Sequence, residues 1–180
     1  MEIEQFIAQS EGIWSSMRSG HSLAFKQFEQ VISKITIDLL PNNDTEVVNL
    51  LRSIDGINQS PISPFCVKWE AESNWVKENS PEVSCGSSIL IPIPQTKHNG
   101  LFVRSLGYTE PIPSLSTYSF LNDGTLIIKT EYDQTFAEER IWFISKHVRC
   151  RSSAIYTSKS RGVLQTSFSS EVKILNNQKF

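Results

Sequence analysis

Two arginines stand two positions apart in the segment HVRCRSSAIY, residues 147–156. The segment alternates like a β-strand, in which every second side chain points to the same face, so Arg149 and Arg151 lie side by side, about 6 to 7 Å apart along the chain. On a solvent-facing surface this pair needs no explanation. Inside a barrel it requires an anionic group, because a buried charge must be compensated. The pair therefore indicates either ordinary surface or a pocket for an acid.

Further polar side chains lie on single faces of other predicted strands. Ser153 continues the face of the two arginines, Glu139 lies in the preceding strand, and Glu171 lies in the last strand. Arg18 shares a face with Trp14 in the first strand. Facing solvent, such groups would form only weak ion pairs. Facing a cavity, the arginines would bind carboxylates and a buried glutamate would accept hydrogen bonds from pyrrole N–H groups, which implies a long, conjugated, acidic ligand.

Two tryptophans, Trp69 and Trp75, lie within and just beyond another predicted strand. A tryptophan supplies a large, flat apolar surface. This surface suits core packing as well as stacking on a conjugated ligand, and the sequence leaves both interpretations open.

Conventional catalytic and metal-binding motifs are lacking from the sequence. The three histidines are dispersed, and there is no G-x-S-x-G, H-E-x-x-H, Walker loop or dinucleotide-binding glycine pattern. Cys66, Cys85 and Cys150 match no zinc or redox spacing. The sequence therefore argues against a metal site and against a conventional hydrolase, kinase or dehydrogenase.

Composition and length restrict the class of protein. The 180 residues suffice for one core, so we expect a single domain over residues 1–180. With 17 Lys and Arg against 19 Asp and Glu, nothing indicates nucleic acid or a membrane surface as a partner. The N-terminus lacks the basic and apolar regions of a signal peptide, and no segment approaches the ~20 apolar residues of a membrane helix. We predict a cytoplasmic protein with reduced cysteines.

The spacing of apolar residues predicts two short helices and many strands. The helices are expected over 2–9 and within 43–55, where Asn43 or Asp44 can serve as the N-cap. Elsewhere the period is near two, and Gly, Pro and Asn recur about every ten residues. Ten strands are predicted, over 13–27, 31–39, 65–71, 86–92, 101–108, 115–121, 125–132, 137–146, 148–157 and 163–174.

Two hairpin signals indicate how the strands connect. Asn99-Gly100 and Asp123-Gly124 join strands that follow each other in the chain. Because about ten strands exceed what an open sheet holds without curling, closure is expected. We predict a mainly β fold, an up-and-down antiparallel barrel of about ten strands, lipocalin or fatty-acid-binding-like, with one or two short helices and room for one small ligand.

Three segments resemble motifs of a known family. GIWSSMRSGHSLAF is similar to G-x-W-x-S-x-R-x-x-H-H-L-A-F, GLFVRSLGYTEPIPSLSTY to G-x-L-x-R-x-x-G-Y-x-E-x-x-P, and TEYDQTFAEERIWFISKHVRCRSS to T-E-Y-(x)n-E-E-R-x-W-F-(x)n-L-R-x-R-x-S. These are motifs of the S-type phycobiliprotein chromophore lyases, the CpcS/CpeS family, and the match runs in order from about residue 8 to 173. One departure is His21-Ser22, where the family has two histidines.

The resemblance implies a barrel that binds an open-chain bilin as its substrate, with no permanently bound cofactor. Phycoerythrobilin is favoured over phycocyanobilin. The implied partner is a phycobiliprotein apo-subunit, phycoerythrin β being favoured, whose cysteine receives the bilin through a thioether. A homodimer through one face of the barrel stays open, and neither nucleic acid nor a membrane is expected as a partner.

The resemblance also implies roles for single residues. Arg149 and Arg151 would hold the two propionates of the bilin, or one propionate and a ring carbonyl. Glu139 would be the catalytic acid, keeping the ring nitrogens protonated. Carried over by position, the bilin-binding residues are Arg18, Trp69, Trp75, Arg149, Arg151, Ser153 and Glu171.

Two other interpretations compete with this one. In the first, the same barrel is a non-catalytic carrier of a bilin, another tetrapyrrole or a fatty acid; a fatty acid would explain internal arginines but needs neither the tryptophans nor Glu139. In the second, the barrel is purely structural and Arg149 and Arg151 face water.

Overall fold

The computed structural model describes residues 1–54, 56–57, 60–73, 83–106, 112–159 and 162–175. Over these ranges the chain forms two helices, α1 (Ile3–Ser10) and α2 (Thr45–Arg52), and ten strands. The strands are β1 (Gly12–Ser22), β2 (Gln27–Leu39), β3 (Phe65–Ser73), β4 (Val83–Pro94), β5 (Asn99–Arg104), β6 (Ser114–Phe120), β7 (Leu126–Glu131), β8 (Thr135–Ser145), β9 (Val148–Thr157) and β10 (Val163–Lys173).

Each strand pairs antiparallel with the next one along the chain, and β10 pairs with β1 to close the sheet. The prediction of an up-and-down antiparallel barrel of about ten strands with two short helices is therefore confirmed. Closure leaves no free sheet edge, and it divides every strand into side chains that face inward and side chains that face outward.

The first predicted strand, 13–27, extends too far. β1 ends at Ser22, the chain turns, and β2 begins at Gln27, four residues before the predicted start of the second strand. The turn contains no glycine or proline, and Lys26 adopts the left-handed conformation with φ 54°. Sequence patterns miss such a turn because they rely on the residues that usually adopt positive φ.

Helix α1 closes the end of the barrel at which β1 begins. Its apolar residues Ile3, Phe6 and Ile7 are buried, and the Phe6 ring packs 5.2 Å from the ring of Phe143. The indole Nε1 of Trp14 donates a hydrogen bond to the carbonyl oxygen of Ser10 at 2.8 Å, which ties the end of α1 to β1. The interior of the barrel is therefore sealed on this side.

Helix α2 packs on the outside of the barrel. Asp44 is its N-cap and accepts a hydrogen bond from the backbone N–H of Glu46 at 2.8 Å, as one of the two predicted caps. Val47 and Leu50 pack on the outward-facing apolar residues of β4 and β5, which are Ile89, Ile91, Ile93 and Val103. Residues 89–93 of β4 are accordingly buried on both faces of the sheet. Neither helix in the described ranges is long and apolar enough to cross a membrane.

Candidate functional site

The barrel encloses a cavity of about 810 Å³, which lies in the size range of sites for small organic molecules. Its walls differ in character. Strands β2 to β5 and β7 contribute mainly apolar residues, among them Ile35, Ile37, Phe65, Val67, Leu90, Phe102, Leu126 and Ile128. Strands β1 and β8 to β10 contribute mainly polar residues, among them Ser16, Glu139, Arg149, Arg151, Ser167, Ser169 and Glu171. A ligand with one apolar and one acidic side would match this division.

Arg149 and Glu171 form a buried ion pair across the adjacent strands β9 and β10, where they are register partners. The Nε of Arg149 donates to Glu171 Oε2 at 2.5 Å, and the side chains are only 2% and 1% exposed. Glu171 Oε1 accepts a hydrogen bond from Ser169 at 3.3 Å and lies 3.9 Å from the Nε of Arg151. The Arg149 guanidinium also lies 4.4 Å from the ring centre of Trp14. Two guanidinium groups thus share one carboxylate.

Burial disfavours the charged forms of Arg149 and Glu171, and the contacts within the group oppose this effect. Burial by itself raises the pKa of Glu171, but the charges of Arg151 and Arg149 and the hydrogen bonds from Arg149 and Ser169 together lower that pKa below its usual value. Burial lowers the pKa of the Arg149 guanidinium, and only the charge and hydrogen bond of Glu171 oppose this. Arg149 Nη2 is buried and has no hydrogen-bond partner among the described residues. The group therefore carries excess positive charge and an unused donor.

Arg104 and Glu139 form a second buried ion pair, with 2.9 Å between Arg104 Nη2 and Glu139 Oε1. Their side chains are 8% and 4% exposed, and both line the cavity. Arg104 lies at the end of β5 and Glu139 in the middle of β8, so the pair spans the two intervening strands. Arg104 was not predicted as a site residue, although it shares the inward face of β5 with Phe102. Alternation along the strand indicated its face but not its partner.

Ser153 lies beside Glu139, as its register partner on β9. Its hydroxyl forms a hydrogen bond of 2.7 Å with the hydroxyl of Ser167, which lines the cavity. Ser153 itself is buried and is not one of the lining residues. Its contact with the cavity in this structure is therefore indirect, through Ser167.

Arg18 and Glu29 form a third ion pair, between β1 and β2, with 2.9 Å between Arg18 Nη2 and Glu29 Oε1. Both side chains line the cavity and are 38% exposed. They lie towards the β1–β2 turn, at the end opposite α1, where the cavity reaches solvent. A half-exposed pair contributes little to stability, so its placement at the mouth is its more informative property.

Trp69 lines the cavity from β3 and lies over Gly86, its register partner on β4. A Cβ atom at position 86 would overlap the indole ring. Glycine within a strand often marks such a close approach, and that signal was available in the sequence for Gly86 but was missed. The predicted pocket residue Trp75 lies outside the described residues.

The predicted residues thus separate into three places. Arg149, Arg151 and Glu171 meet in one group, Glu139 lies in a second with Arg104, and Arg18 lies at the mouth. The interpretation in which both arginines face water is wrong, because Arg149 is buried and Arg151 lines the cavity. In the described part of the chain, no cluster of three or more His, Cys, Asp or Glu could hold a metal ion.

Comparisons with known proteins agree on one family. A family model described as CpeS-like protein matches residues 2–174. A protein of Trichodesmium erythraeum (strain IMS101) named chromophore lyase CpcS/CpeS 3 is 45% identical over 96% of this chain and 99% of its own. A protein of Microchaete diplosiphon provisionally named phycoerythrobilin lyase CpeS is 39% identical over 83% of this chain and 66% of its own. The solved S-type phycobiliprotein lyase CPES of Guillardia theta has a TM-score of 0.84 and 33% identity, covering 98% of this chain and 95% of that one.

Proposed function

The chain belongs to the CpeS-like family of chromophore lyases, and we propose that it holds an open-chain bilin in its barrel and attaches it to a cysteine of a phycobiliprotein subunit. The observation that carries the proposal is the divided cavity of about 810 Å³, with apolar strands facing a cationic polar wall. A bilin has the same division, because its conjugated rings are apolar over their faces and its propionates are acidic. Trp69, Phe65 and Phe102 supply flat apolar surface for the rings.

Arg149 and Arg151 bind a propionate in this proposal. Arginine donates in a fork that matches a carboxylate, and Arg149 Nη2 has no partner in the described part of the chain. The described lining residues include four arginines, Arg18, Arg104, Arg149 and Arg151, against three glutamates, Glu29, Glu139 and Glu171. This excess of one positive charge is compensated by one carboxylate. Of the two arrangements considered above, one propionate together with a ring carbonyl is therefore favoured over two buried propionates.

The reaction is an addition from which no atom leaves. The sulfur of the acceptor cysteine bonds to the exocyclic carbon of the ethylidene group on ring A, the carbon–carbon double bond becomes single, and the thiol proton is replaced by one on the ring carbon. Because the nucleophile belongs to the partner, the lyase contributes mainly position and electrostatics. Glu139 is the proposed catalytic group, which contacts the ring N–H groups and keeps these nitrogens protonated.

We also propose the finer identities of substrate and partner. Phycoerythrobilin is the favoured bilin, which the name of the Microchaete diplosiphon relative supports. Phycoerythrin β is the favoured acceptor, as the motif resemblance implies. The bilin is a substrate in transit, not a permanent cofactor. The proposed compartment is the cytoplasm, whose reducing conditions suit the free thiols Cys66, Cys85 and Cys150. Ser153 would act through Ser167, and Trp75 keeps its predicted role as a pocket aromatic.

The test is a titration followed by a transfer assay. The purified protein is titrated with phycoerythrobilin and with phycocyanobilin, and absorbance and fluorescence are recorded. Apo-phycoerythrin β is then added, and covalent bilin is detected by zinc fluorescence on a denaturing gel. Faster and more homogeneous attachment than without the protein is the expected result. Tight binding without acceleration would identify a carrier, and no binding of either bilin would refute the proposal.

A further inference from the structure

We propose that Arg104 and Glu139 together bind a terminal lactam ring of the bilin, so that Arg104 is a substrate-binding residue; this inference rests on the proposed function. The two side chains are in contact, with 2.9 Å between Arg104 Nη2 and Glu139 Oε1, and both are more than nine-tenths buried. Both also line the cavity. They therefore form a rigid polar site inside a largely apolar enclosure.

Each partner keeps one group free for a ligand. Arg104 Nε is buried and has no hydrogen-bond partner within the described ranges. Glu139 Oε1 is occupied by Arg104, and no other described residue bonds to this carboxylate, which leaves Oε2 as an unused acceptor. A buried N–H without a hydrogen-bond partner costs free energy, so a ligand that supplies an acceptor at this position binds more tightly. The pair therefore offers one donor and one acceptor side by side.

A lactam is complementary to this arrangement. Its carbonyl oxygen accepts a hydrogen bond, and its ring N–H, on the adjacent atom, donates one. An inner pyrrole ring offers no carbonyl oxygen, so it would leave Arg104 Nε unpaired. A propionate offers only acceptors and would be repelled by Glu139. Of the polar groups of a bilin, the lactam alone satisfies both free positions.

The Arg104–Glu139 pair differs in net charge from the group around Arg149. One guanidinium and one carboxylate balance each other in the Arg104–Glu139 pair, whereas two guanidinium groups share Glu171. A balanced buried pair gains nothing from an added charge but does gain from a neutral polar partner, because hydrogen bonds are stronger in apolar surroundings. The register partners of the pair carry no charge: Leu90 and Ser114 lie beside Arg104, and Ile128 and Ser153 lie beside Glu139.

The experiment compares phycoerythrobilin with its O-methyl lactim ethers, made separately on ring A and ring D. O-methylation removes the lactam N–H and replaces the carbonyl, while both propionates stay unchanged. Wild-type protein should bind phycoerythrobilin about tenfold more tightly than the ether of the ring that contacts the Arg104–Glu139 pair. A factor of about ten corresponds to the loss of one charge-assisted hydrogen bond. Dissociation constants come from absorbance titrations, and the bound-bilin spectrum is recorded at each point.

Two variants test whether the pair is responsible. Arg104→Lys keeps a positive charge opposite Glu139 but lacks the planar fork that serves two acceptors at once. Glu139→Gln keeps an oxygen for Arg104 and turns the second position from acceptor into donor. Either variant should reduce the tenfold preference to less than about twofold. The matched control is Arg140→Lys, because Arg140 pairs with Glu138 on the exposed outer face of the same strand; it should keep the full preference.

The outcomes distinguish the two proposals. If wild-type protein discriminates against neither ether, or if both folded variants keep the wild-type preference, the lactam site is wrong even when transfer to the acceptor subunit is normal. If wild-type protein binds no bilin, the proposed function fails and the inference fails with it. Because either variant alone can show the loss of preference, failure of one to fold leaves the test in place.

Discussion

The two buried charged groups of the cavity are built in different ways. Arg149 and Glu171 are register partners on adjacent strands, whereas Arg104 and Glu139 meet across two intervening strands. The first group has an extra arginine, Arg151, and the second is balanced. Net charge decides what each can bind: the first suits an anion and the second a neutral donor–acceptor group. The cavity thereby offers two chemically distinct polar groups to one ligand.

The largest expected effect is on folding, through Glu171→Gln. The substitution leaves the buried guanidinium of Arg149 uncompensated, and breaking a buried ion pair in this way costs about 3 to 5 kcal/mol. Urea unfolding followed by circular dichroism measures the free energy of unfolding. The matched control is Glu29→Gln at the mouth, where both partners are 38% exposed and the loss should stay within about 1 kcal/mol. Equal losses in the two variants would contradict the burial argument.

The next effect is on ligand affinity, through Arg149→Ala. Loss of one charge-assisted contact should weaken bilin binding by about 1.5 to 3 kcal/mol, roughly ten- to a hundredfold in Kd. A bilin with both propionates converted to primary amides should lose a similar factor with wild-type protein and nothing further with the variant. Arg140→Ala, on the outer face of β8, is the control and should bind normally. Unchanged affinity of folded Arg149→Ala would remove Arg149 from the propionate site.

A smaller effect is expected from Gly86→Ala, which tests the apolar wall. The added methyl group meets the indole of Trp69, and such overpacking costs about 1 to 3 kcal/mol of stability. A displaced indole should also change tryptophan fluorescence and the absorbance of bound bilin. Gly20→Ala is the control, because a methyl group there meets only the flexible side chain of Glu29. Identical bilin spectra in the wild type and Gly86→Ala would show that Trp69 does not contact the ligand.

The smallest effect is the pH dependence of stability that comes from Glu171. Its pKa is lowered in the folded protein, so the group contributes stability above its unfolded pKa of about 4.3 and loses it as the pH falls through the folded value. The free energy of unfolding of the wild type should therefore fall from about pH 4.5 downward. In Glu171→Gln this fall should be shallower. Parallel pH profiles of the two proteins would mean that other carboxylates account for it.

Parts of the site could be predicted from local alternation alone. The spacing of Arg149 and Arg151 placed them on one face of a strand, and in the structure both line the cavity. The same reasoning placed Glu139 and Glu171 on single faces of their strands. Asp44 as a helix cap and the hairpin at Asp123-Gly124 were also readable, because caps and tight turns depend on a few neighbouring residues.

Other features were decided only by the closed barrel. The partner of Glu139 could not be predicted, because Arg104 lies 35 positions away and reaches it across two strands whose order and curvature set the distance. The place of Trp69 over Gly86 likewise depends on the register between β3 and β4.

Whether the sequence alone or only the tertiary structure determines a property depends on how far apart in the chain the responsible residues lie. The sequence by itself determined which side chains share a face, how many strands form and where most of them turn, since these properties depend on residues a few positions apart. Only the tertiary structure decided which face of each strand, such as the face that carries Arg149, points into the cavity. It also decided how deeply each charged side chain is buried and which charged side chains contact each other. Those properties depend on closure of the sheet, which brings distant residues together and excludes water from between them.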